Sequence, residues 1–236
     1  MKLYIFPAIA ALFLAGCATP LLRPGEQRAV LASKASGYPY LMFVPKAATT
    51  HGKAIPLLIF LHGSGERGSD IEKVKIHGPP KRVLTRPDFP FVTVSPLLEA
   101  DGDWDVEKLD AMLAQVRRKV DVDPARLYLT GLSRGGHATW RWAAARSGTF
   151  AAIAPIAGRG DVTQACNLEN IPVWAFHGDK DNVVEPKGSS EMVDAINACG
   201  GSARVTIYSD TGHDSWTRTY DNPALYAWLL AQHKNK

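Results

Sequence analysis

Short, continuous apolar segments recur along this 236-residue chain and constrain its fold more than any other feature. Most of them lack the alternation of polar and apolar residues that a half-exposed strand shows, so they indicate strands buried on both faces of a sheet. We place these strands at residues 27–31, 38–44, 57–61, 91–94, 127–130, 151–155, 173–176 and 204–208.

Amphipathic helical patterns lie between the later strands. Residues 106–120 carry apolar side chains at helical spacing, and Asp105 is suited to cap that helix. Further helices are predicted at residues 135–146, 187–199 and 223–232. This alternation predicts an α/β fold with about eight strands in a mostly parallel sheet and helices on both faces. The first two strands have no helix between them, so we expect an antiparallel hairpin at one edge.

The composition is that of an ordinary globular protein, with 46% hydrophobic and 21% charged residues. The 27 basic and 23 acidic residues give a formal net charge of +4 and are interleaved along the whole chain, without a block of Lys and Arg. This pattern argues against a nucleic-acid partner. The length suits one α/β domain, which we place at residues 27–236.

The N-terminus reads as an export signal. Lys2 precedes an apolar segment at residues 3–14, which is too short to span a bilayer comfortably, since that takes about 20 residues. The segment ends in Leu14-Ala15-Gly16-Cys17, which resembles the lipobox of bacterial lipoproteins. An ordinary secretory signal that contains a cysteine is the alternative.

The lipobox resemblance implies a division of the N-terminal region. Residues 1–16 are then a signal peptide, Cys17 carries the lipid, and residues 17–26 tether the domain to the membrane. Ala18 after the cysteine implies sorting to the outer membrane. The expected location is therefore the bacterial cell envelope, with the lipid at Cys17 as the membrane contact.

Two further cysteines, Cys166 and Cys199, lie in a chain that we expect to be exported to an oxidising compartment. Both precede predicted strands and so fall at the edge of the sheet where parallel strands begin. A structural disulfide between them is one hypothesis, and two buried free thiols are the other.

The segment Gly131-Leu132-Ser133-Arg134-Gly135 lies between a predicted strand and a predicted helix. In an open α/β sheet, ligands bind beyond the carboxyl ends of the strands, which is where this segment falls. A serine at such a sharp turn exposes its hydroxyl, and the flanking glycines fit where a Cβ atom would not. This context favours Ser133 as a nucleophile over a plain Gly/Ser turn.

A serine hydroxyl needs a base to take its proton and a third group to orient that base. Among the seven histidines, His213 lies in a loop after the strand at residues 204–208, where its ring can reach the carboxyl end of the sheet. We assign His213 as the base. His62 and His177 end strands in His-Gly pairs, where we expect a structural hydrogen bond.

The orienting acid is expected in the loop after the strand at residues 173–176. Asp181 is our candidate because the apolar residues that follow it can pack the loop down and fix its direction. Asp179 is the nearest alternative, although aspartates in loops more often make turn contacts, and Asp161 is a remote one. The order Ser133, Asp181, His213 along the chain is that of α/β-hydrolases.

Two backbone N–H groups are candidates for stabilising the negative charge that develops on an attacked carbonyl. Arg134 begins a helix, where unpaired donors and the helix dipole favour an anion. Ser64 lies in the glycine-rich loop His62-Gly63-Ser64-Gly65-Glu66-Arg67-Gly68, directly after a strand. A phosphate-binding loop is the alternative for this segment, but the Gly-Lys-Ser/Thr ending of such loops is missing.

These segments, together with the Gly178-Asp179-Lys180-Asp181 loop and Gly212-His213, resemble the phospholipase/carboxylesterase and feruloyl-esterase-like branch of the α/β-hydrolase superfamily. The resemblance spans residues from about 38 to 230. It implies an α/β-hydrolase fold and hydrolysis of carboxylic esters through an acyl-enzyme. Some proteins with this glycine-rich loop are classed as peptidases, so a peptidase or thioesterase is an alternative, and a non-catalytic envelope binding protein is another.

The chain offers limited information on the substrate. The connection between the strands at residues 151–155 and 173–176 is too short to hold a cap domain, which favours a small or polysaccharide-linked ester over a lipid interface. Trp104 and Trp216 are candidate stacking surfaces for sugar or aromatic groups, with core packing as the alternative. No metal-ligand cluster or nucleotide motif is present, so we expect no cofactor and no metal, and no obligate protein partner is evident.

Overall fold

The structure is a computed structural model that describes residues 23–31, 37–46 and 54–234. Its eight strands form one sheet in the order β1-β2-β4-β3-β5-β6-β7-β8. The strands are β1 Gln27–Val30, β2 Tyr40–Phe43, β3 Ile55–Leu61, β4 Val92–Pro96, β5 Val122–Leu132, β6 Ala152–Ile156, β7 Val173–Gly178 and β8 Ala203–Tyr208. Each strand overlaps one of the predicted apolar segments.

The sheet is mostly parallel. All pairs from β4 through β3, β5, β6 and β7 to β8 are parallel, whereas β1 pairs antiparallel with β2, and β2 pairs antiparallel with β4. The predicted mostly parallel sheet with an antiparallel edge is therefore confirmed. Parallel neighbours need a crossover, and the chain between β1 and β2 is too short for one.

Helices cover both faces of the sheet. The helices are α1 Gly78–Arg82, α2 Val106–Lys119, α3 Arg134–Ala145, α4 Lys187–Ala198, α5 Trp216–Asp221 and α6 Pro223–Ala231. Buried side chains of α2, α3 and α4 share one core layer, and those of α5 and α6 share the other with Val83 at the end of α1. In β3, Leu57 and Ile59 face the first layer and Leu58 and Phe60 the second, because successive strand residues point to opposite faces.

The chain between β6 and β7 is short and contains one element, the 3-10 helix Val162–Leu168. This connection leaves no room for a cap domain, as expected. Within it, Cys166 is joined to Cys199 at the end of α4 by a disulfide, with the two Cα atoms 5.2 Å apart. The bridge lies where β7 and β8 begin, at the end of the sheet away from Ser133.

The proposed signal peptide, Cys17 and most of the tether lie outside the described residues. The tether's last part is described, and the Gly25 N–H donates to the carbonyl oxygen of Val44 at 2.7 Å. Among the described helices, none is long and apolar enough to cross a membrane.

Candidate active site

Ser133 occupies a strained turn between β5 and α3. Its backbone has φ 51° and ψ −116°, outside the regions that ordinary residues favour. The Ser133 N–H donates to the carbonyl oxygen of Ile156 at the end of β6, at 2.9 Å. The turn is therefore tied to the neighbouring strand, and the side chain stands at the carboxyl edge of the sheet.

The two glycines around Ser133 explain why the turn can close. A Cβ atom on Gly131 would collide with the carbonyl group of Gly135, and one on Gly135 would collide with the carbonyl group of Leu61 in β3. Both obstacles are backbone atoms that cannot rotate away. Glycine at both positions thus lets α3 begin directly against β3 and β5.

Ser133, His213 and Asp181 are brought together by three different loops. His213 Nε2 lies 2.9 Å from Ser133 Oγ, and His213 Nδ1 lies 2.7 Å from Asp181 Oδ2. A carboxylate only accepts hydrogen bonds at neutral pH, so Nδ1 carries the hydrogen and Nε2 is free to accept the serine proton. The His213 side chain is 20% exposed, whereas that of Asp181 is fully buried.

The Asp181 carboxylate is held on both oxygens. Its Oδ1 accepts the N–H groups of Val183 at 2.9 Å and Val184 at 3.0 Å. Burial by itself raises the pKa of Asp181, but the hydrogen bonds from His213, Val184 and Val183 outweigh it and hold that pKa below its ordinary value. The carboxylate therefore stays charged beside His213.

The two alternative acids have other partners. Asp179 is exposed and accepts the Thr211 N–H at 3.1 Å, which fixes the loop after β8. Asp161 caps the 3-10 helix that follows β6 by accepting the Thr163 N–H at 3.0 Å. Asp181 is the carboxylate that the structure joins to His213.

The glycine-rich loop after β3 lies beside the serine. A Cβ atom on Gly63 would stand 3.5 Å from the Ser133 Cβ. The fully buried His62 fixes this part of the loop: its Nε2 accepts the Leu98 N–H at 3.0 Å, and its Nδ1 donates to the Gly63 carbonyl at 2.7 Å. Burial lowers the pKa of His62 to about 4, so the ring is neutral at pH 7.

The hydrogen bond from His62 also sets the direction of the next N–H. The Gly63 carbonyl and the Ser64 N–H belong to one trans peptide group and point in opposite directions. Because the carbonyl points to the His62 ring, the Ser64 N–H points away from it. The second expected donor, the Arg134 N–H, is at the first position of α3, where it has no intrahelical acceptor.

The residues that carry these two N–H groups are also joined through their side chains. Arg134 Nε donates to Ser64 Oγ at 2.9 Å, and Arg134 Nη1 lies 3.3 Å from Asp103 Oδ1. The glycine-rich loop and the start of α3 are thus linked across the mouth of the site.

Trp104 does not form a stacking surface, contrary to our expectation. It is only 2% exposed, with its ring edge-on to Tyr38 at 5.1 Å and to His62 at 5.0 Å, and its Nε1 donates to the His62 carbonyl at 3.3 Å. The segment after β4 folds inward, so Trp104 packs against His62 at the start of the glycine-rich loop. Trp216 is partly exposed and stands perpendicular to His213, with ring centroids 5.0 Å apart.

Two clefts lie beside the chain that follows β6. One of about 270 Å³ lies beside α3 and is lined by His137, Arg141, Arg159 and Asp161 among others. A second, of about 480 Å³, shares Arg159 and Asp161 and reaches Glu185 and Lys187 in the chain beyond Asp181. Within the described ranges, no three His, Cys, Asp or Glu side chains are grouped as metal ligands.

Sequence reasoning assigned His177 only a structural hydrogen bond, yet its ring contacts the acid of the site. His177 Nε2 lies 3.1 Å from Asp181 Oδ2, on the oxygen that also receives His213. The four-residue spacing between the two residues was the available signal. This spacing brings the two side chains together only because the loop folds back onto the end of β7.

The strand order and the loops that carry the serine, acid and histidine define an α/β-hydrolase. The chain belongs to the dienelactone hydrolase family, whose sequence profile matches residues 93–227. The predicted superfamily, with feruloyl-esterase-like relatives, is thereby confirmed.

Two relatives carry the name "Probable feruloyl esterase C". The one from Aspergillus niger is 29% identical over 118 residues, and the one from Aspergillus terreus is 26% identical over 174 residues. The matches cover 49% and 70% of this chain, and 43% and 63% of the two relatives. This chain therefore spans less than two thirds of either relative.

Solved structures share the fold. The crystal structure of a thermostable esterase superposes with a TM-score of 0.75 at 28% identity, over 90% of this chain and 64% of that one. An acylaminoacyl peptidase from Pyrococcus horikoshii superposes with a TM-score of 0.67 at 14% identity, over 89% of this chain and 42% of that one. The second likeness concerns the fold alone.

Proposed function

We propose that this protein is a serine esterase that cleaves carboxylic esters through an acyl-enzyme intermediate. The observation that carries the proposal is the continuous hydrogen-bonded path from Ser133 Oγ through His213 to Asp181, with distances of 2.9 and 2.7 Å. The esterase names among its relatives support the same reaction class. A non-catalytic binding protein would have no use for this alignment.

In the first half of the reaction, His213 Nε2 takes the proton from Ser133 Oγ as that oxygen attacks the ester carbonyl carbon. The negative charge that forms on the carbonyl oxygen is stabilised by the N–H groups of Ser64 and Arg134, each worth about 3 kcal/mol. The intermediate then collapses, and His213 gives its proton to the departing alkoxide. An alcohol leaves and the acyl group remains on Ser133.

In the second half, a water molecule takes the place of the alcohol. His213 removes a proton from this water as its oxygen attacks the acyl carbon, and the same N–H groups stabilise the new intermediate. The Ser133–acyl bond breaks, Ser133 recovers its proton from His213, and a carboxylic acid departs. Asp181 remains ionised throughout and stabilises the cationic ring.

The surroundings of the site support a small or polysaccharide-linked ester as substrate. The two clefts beside the chain that follows β6 carry cationic and anionic side chains, such as Arg159, Asp161 and Lys187, which would suit a part of the substrate rich in hydroxyl groups. The partly exposed Trp216 beside His213 supplies an apolar edge for a sugar ring or an aromatic acyl group.

The decisive experiment compares Ser133→Ala with the unaltered protein on a short p-nitrophenyl ester. We expect the substitution to lower kcat by about 10⁴-fold or more. Ser147→Ala is the matched control, because Ser147 is exposed just beyond the other end of α3. Equal rates for the two variants, or no hydrolysis by the unaltered protein, would refute the proposal. Feruloyl, acetyl, thioester and amide substrates then separate an esterase from a thioesterase or peptidase.

We also propose that the protein is held on the bacterial outer membrane by a lipid on Cys17. The support is the sequence Leu14-Ala15-Gly16-Cys17 after an apolar segment, together with the physical need for several acyl chains in stable anchoring. The site would then act on esters in the cell envelope or beyond it.

A further inference from the structure

His177 is a buried histidine at the end of β7 whose contacts go beyond packing. It is fully buried, and its Nε2 lies 3.1 Å from Asp181 Oδ2 and 2.9 Å from the Val184 carbonyl oxygen. Both neighbours accept hydrogen bonds and cannot donate one, so Nε2 carries a hydrogen. This one N–H is shared between the Val184 carbonyl oxygen, which is the nearer acceptor, and Asp181 Oδ2.

The other nitrogen of His177 is anchored to α4. Nδ1 lies 2.8 Å from Ser189 Oγ, which in turn lies 3.0 Å from the Gly158 carbonyl oxygen beyond β6. Ser189 is fully buried as well. Because Nε2 carries the ring hydrogen, Nδ1 accepts the Ser189 hydroxyl hydrogen, so the ring is fixed between the acid loop and α4 and cannot turn away from Asp181 without breaking these contacts.

Four N–H groups face the Asp181 carboxylate, and that of His177 is shared with the Val184 carbonyl oxygen. Oδ1 receives the two N–H groups of Val183 and Val184, while Oδ2 receives both His213 and His177. The two imidazoles therefore share one oxygen. A hydrogen bond from His177 to Oδ2 partly offsets the negative charge on that oxygen, so it weakens the interaction of Oδ2 with His213.

We propose that His177 is a positioning residue of the triad, which holds Oδ2 of Asp181 in line with His213 and moderates how strongly that carboxylate stabilises the protonated His213 ring. The inference rests on the proposed function. His177 touches no substrate, because its side chain is fully buried.

The charged groups that face His177 come from two loops. They are Asp181 from its own loop and His213 from the loop after β8, while α4 contributes the neutral Ser189. Burial lowers the pKa of His177, against the opposing effects of the Val184 carbonyl and Asp181. The ring is therefore neutral at pH 7 and acts as a dipolar donor.

The consequence concerns the acidic limb of the pH profile. Removing the His177 donor leaves more of the Asp181 charge for the protonated form of His213, so the base stays protonated to a higher pH. We expect the acidic limb of kcat/KM to move up by about one pH unit, with a roughly tenfold loss of kcat/KM below that limb. KM should stay unchanged.

Two substitutions of similar shape separate this role from packing. The side-chain amide of His177→Gln can place an N–H near the position of Nε2, whereas that of His177→Asn matches Nδ1 and leaves Asp181 without its donor. The pH dependence of kcat/KM for p-nitrophenyl ester hydrolysis is measured for the unaltered protein and both variants, with thermal unfolding as a check on folding. Ser189→Ala, which frees the ring from α4, is measured alongside.

We expect His177→Asn to shift the acidic limb upward, His177→Gln to keep the original profile, and Ser189→Ala to shift it by a smaller amount. A folded His177→Asn protein with an unshifted limb, or equal shifts in Asn and Gln, would overturn the inference. If His177→Asn does not fold, an unshifted Ser189→Ala profile overturns it and a shifted one supports it. Retained activity in Ser133→Ala would instead refute the proposed function itself.

Discussion

The Cys166–Cys199 disulfide offers a clean test of stability because it lies away from the site. It joins the 3-10 helix between β6 and β7 to the end of α4, across a sequence separation of 33 residues. The perturbation is the double substitution of Cys166 and Cys199 by alanine. Cys166 is exposed and Cys199 is half-buried, so little packing is lost with the sulfur atoms.

The expected magnitude follows from the length of the closed loop. A loop of 33 residues removes about 12 cal/mol/K of entropy from the unfolded chain, which corresponds to about 4 kcal/mol at 25 °C. This is a large share of the roughly 5 to 15 kcal/mol by which folded domains are stable. We therefore expect the free energy of unfolding of the double variant to fall by about that amount.

Urea unfolding followed by tryptophan fluorescence measures this change, with the unaltered protein in reductant as an internal comparison. At 25 °C and without urea, kcat/KM should match that of the unaltered protein, because the bridge lies where β7 and β8 begin. A decrease of less than about 1 kcal/mol in the free energy of unfolding would refute the loop-entropy argument. Loss of activity in a variant that remains folded would refute the separation of the bridge from the site.

Two further predictions concern other parts of the chain. Because burial lowers the pKa of His62 to about 4 from 6.5, the unfolded chain binds a proton before the folded protein does as the pH falls. The free energy of unfolding should therefore drop by about 3 kcal/mol between pH 6.5 and 4. In urea unfolding, His62→Gln should show a weaker dependence of this free energy on pH over the same window, and an equal dependence in both proteins would contradict the assignment. Cys17→Ser should release the protein from the membrane fraction and abolish its labelling by a radioactive fatty acid, and a variant that is still membrane-bound and acylated would refute the anchor.

Much of the fold could be predicted from the sequence because burial on both faces leaves a simple pattern. Continuous apolar segments marked all eight strands, and the capping residue Asp105 fixed the start of α2, where its side chain accepts the Lys108 N–H. The short helices α1 and α5 were missed, since five or six residues are too few to show a helical period.

The environment of individual side chains was harder to predict. Trp104 follows a strand at the carboxyl edge, where an exposed position was a reasonable expectation. Its burial depends on Tyr38, which precedes β2, the antiparallel neighbour of β4, and packs edge-on against the indole ring at 5.1 Å. Contacts between segments so far apart in the chain leave no local pattern, so the sequence could indicate the loop but not the direction of the ring.

The two His-Gly pairs show how the buried sheet itself organises the site. His62 and His177 both stand at carboxyl ends of inner strands, where helices on both faces exclude water and each ring nitrogen needs a partner. One nitrogen of each ring has its partner in the loop that follows: the Gly63 carbonyl for His62, and the Val184 carbonyl and the Asp181 carboxylate for His177. Satisfying a buried ring therefore fixes a functional loop, one beside the Ser64 N–H and the other around the acid. The same requirement that keeps a polar side chain stable inside the sheet thereby positions the groups that the proposed reaction needs.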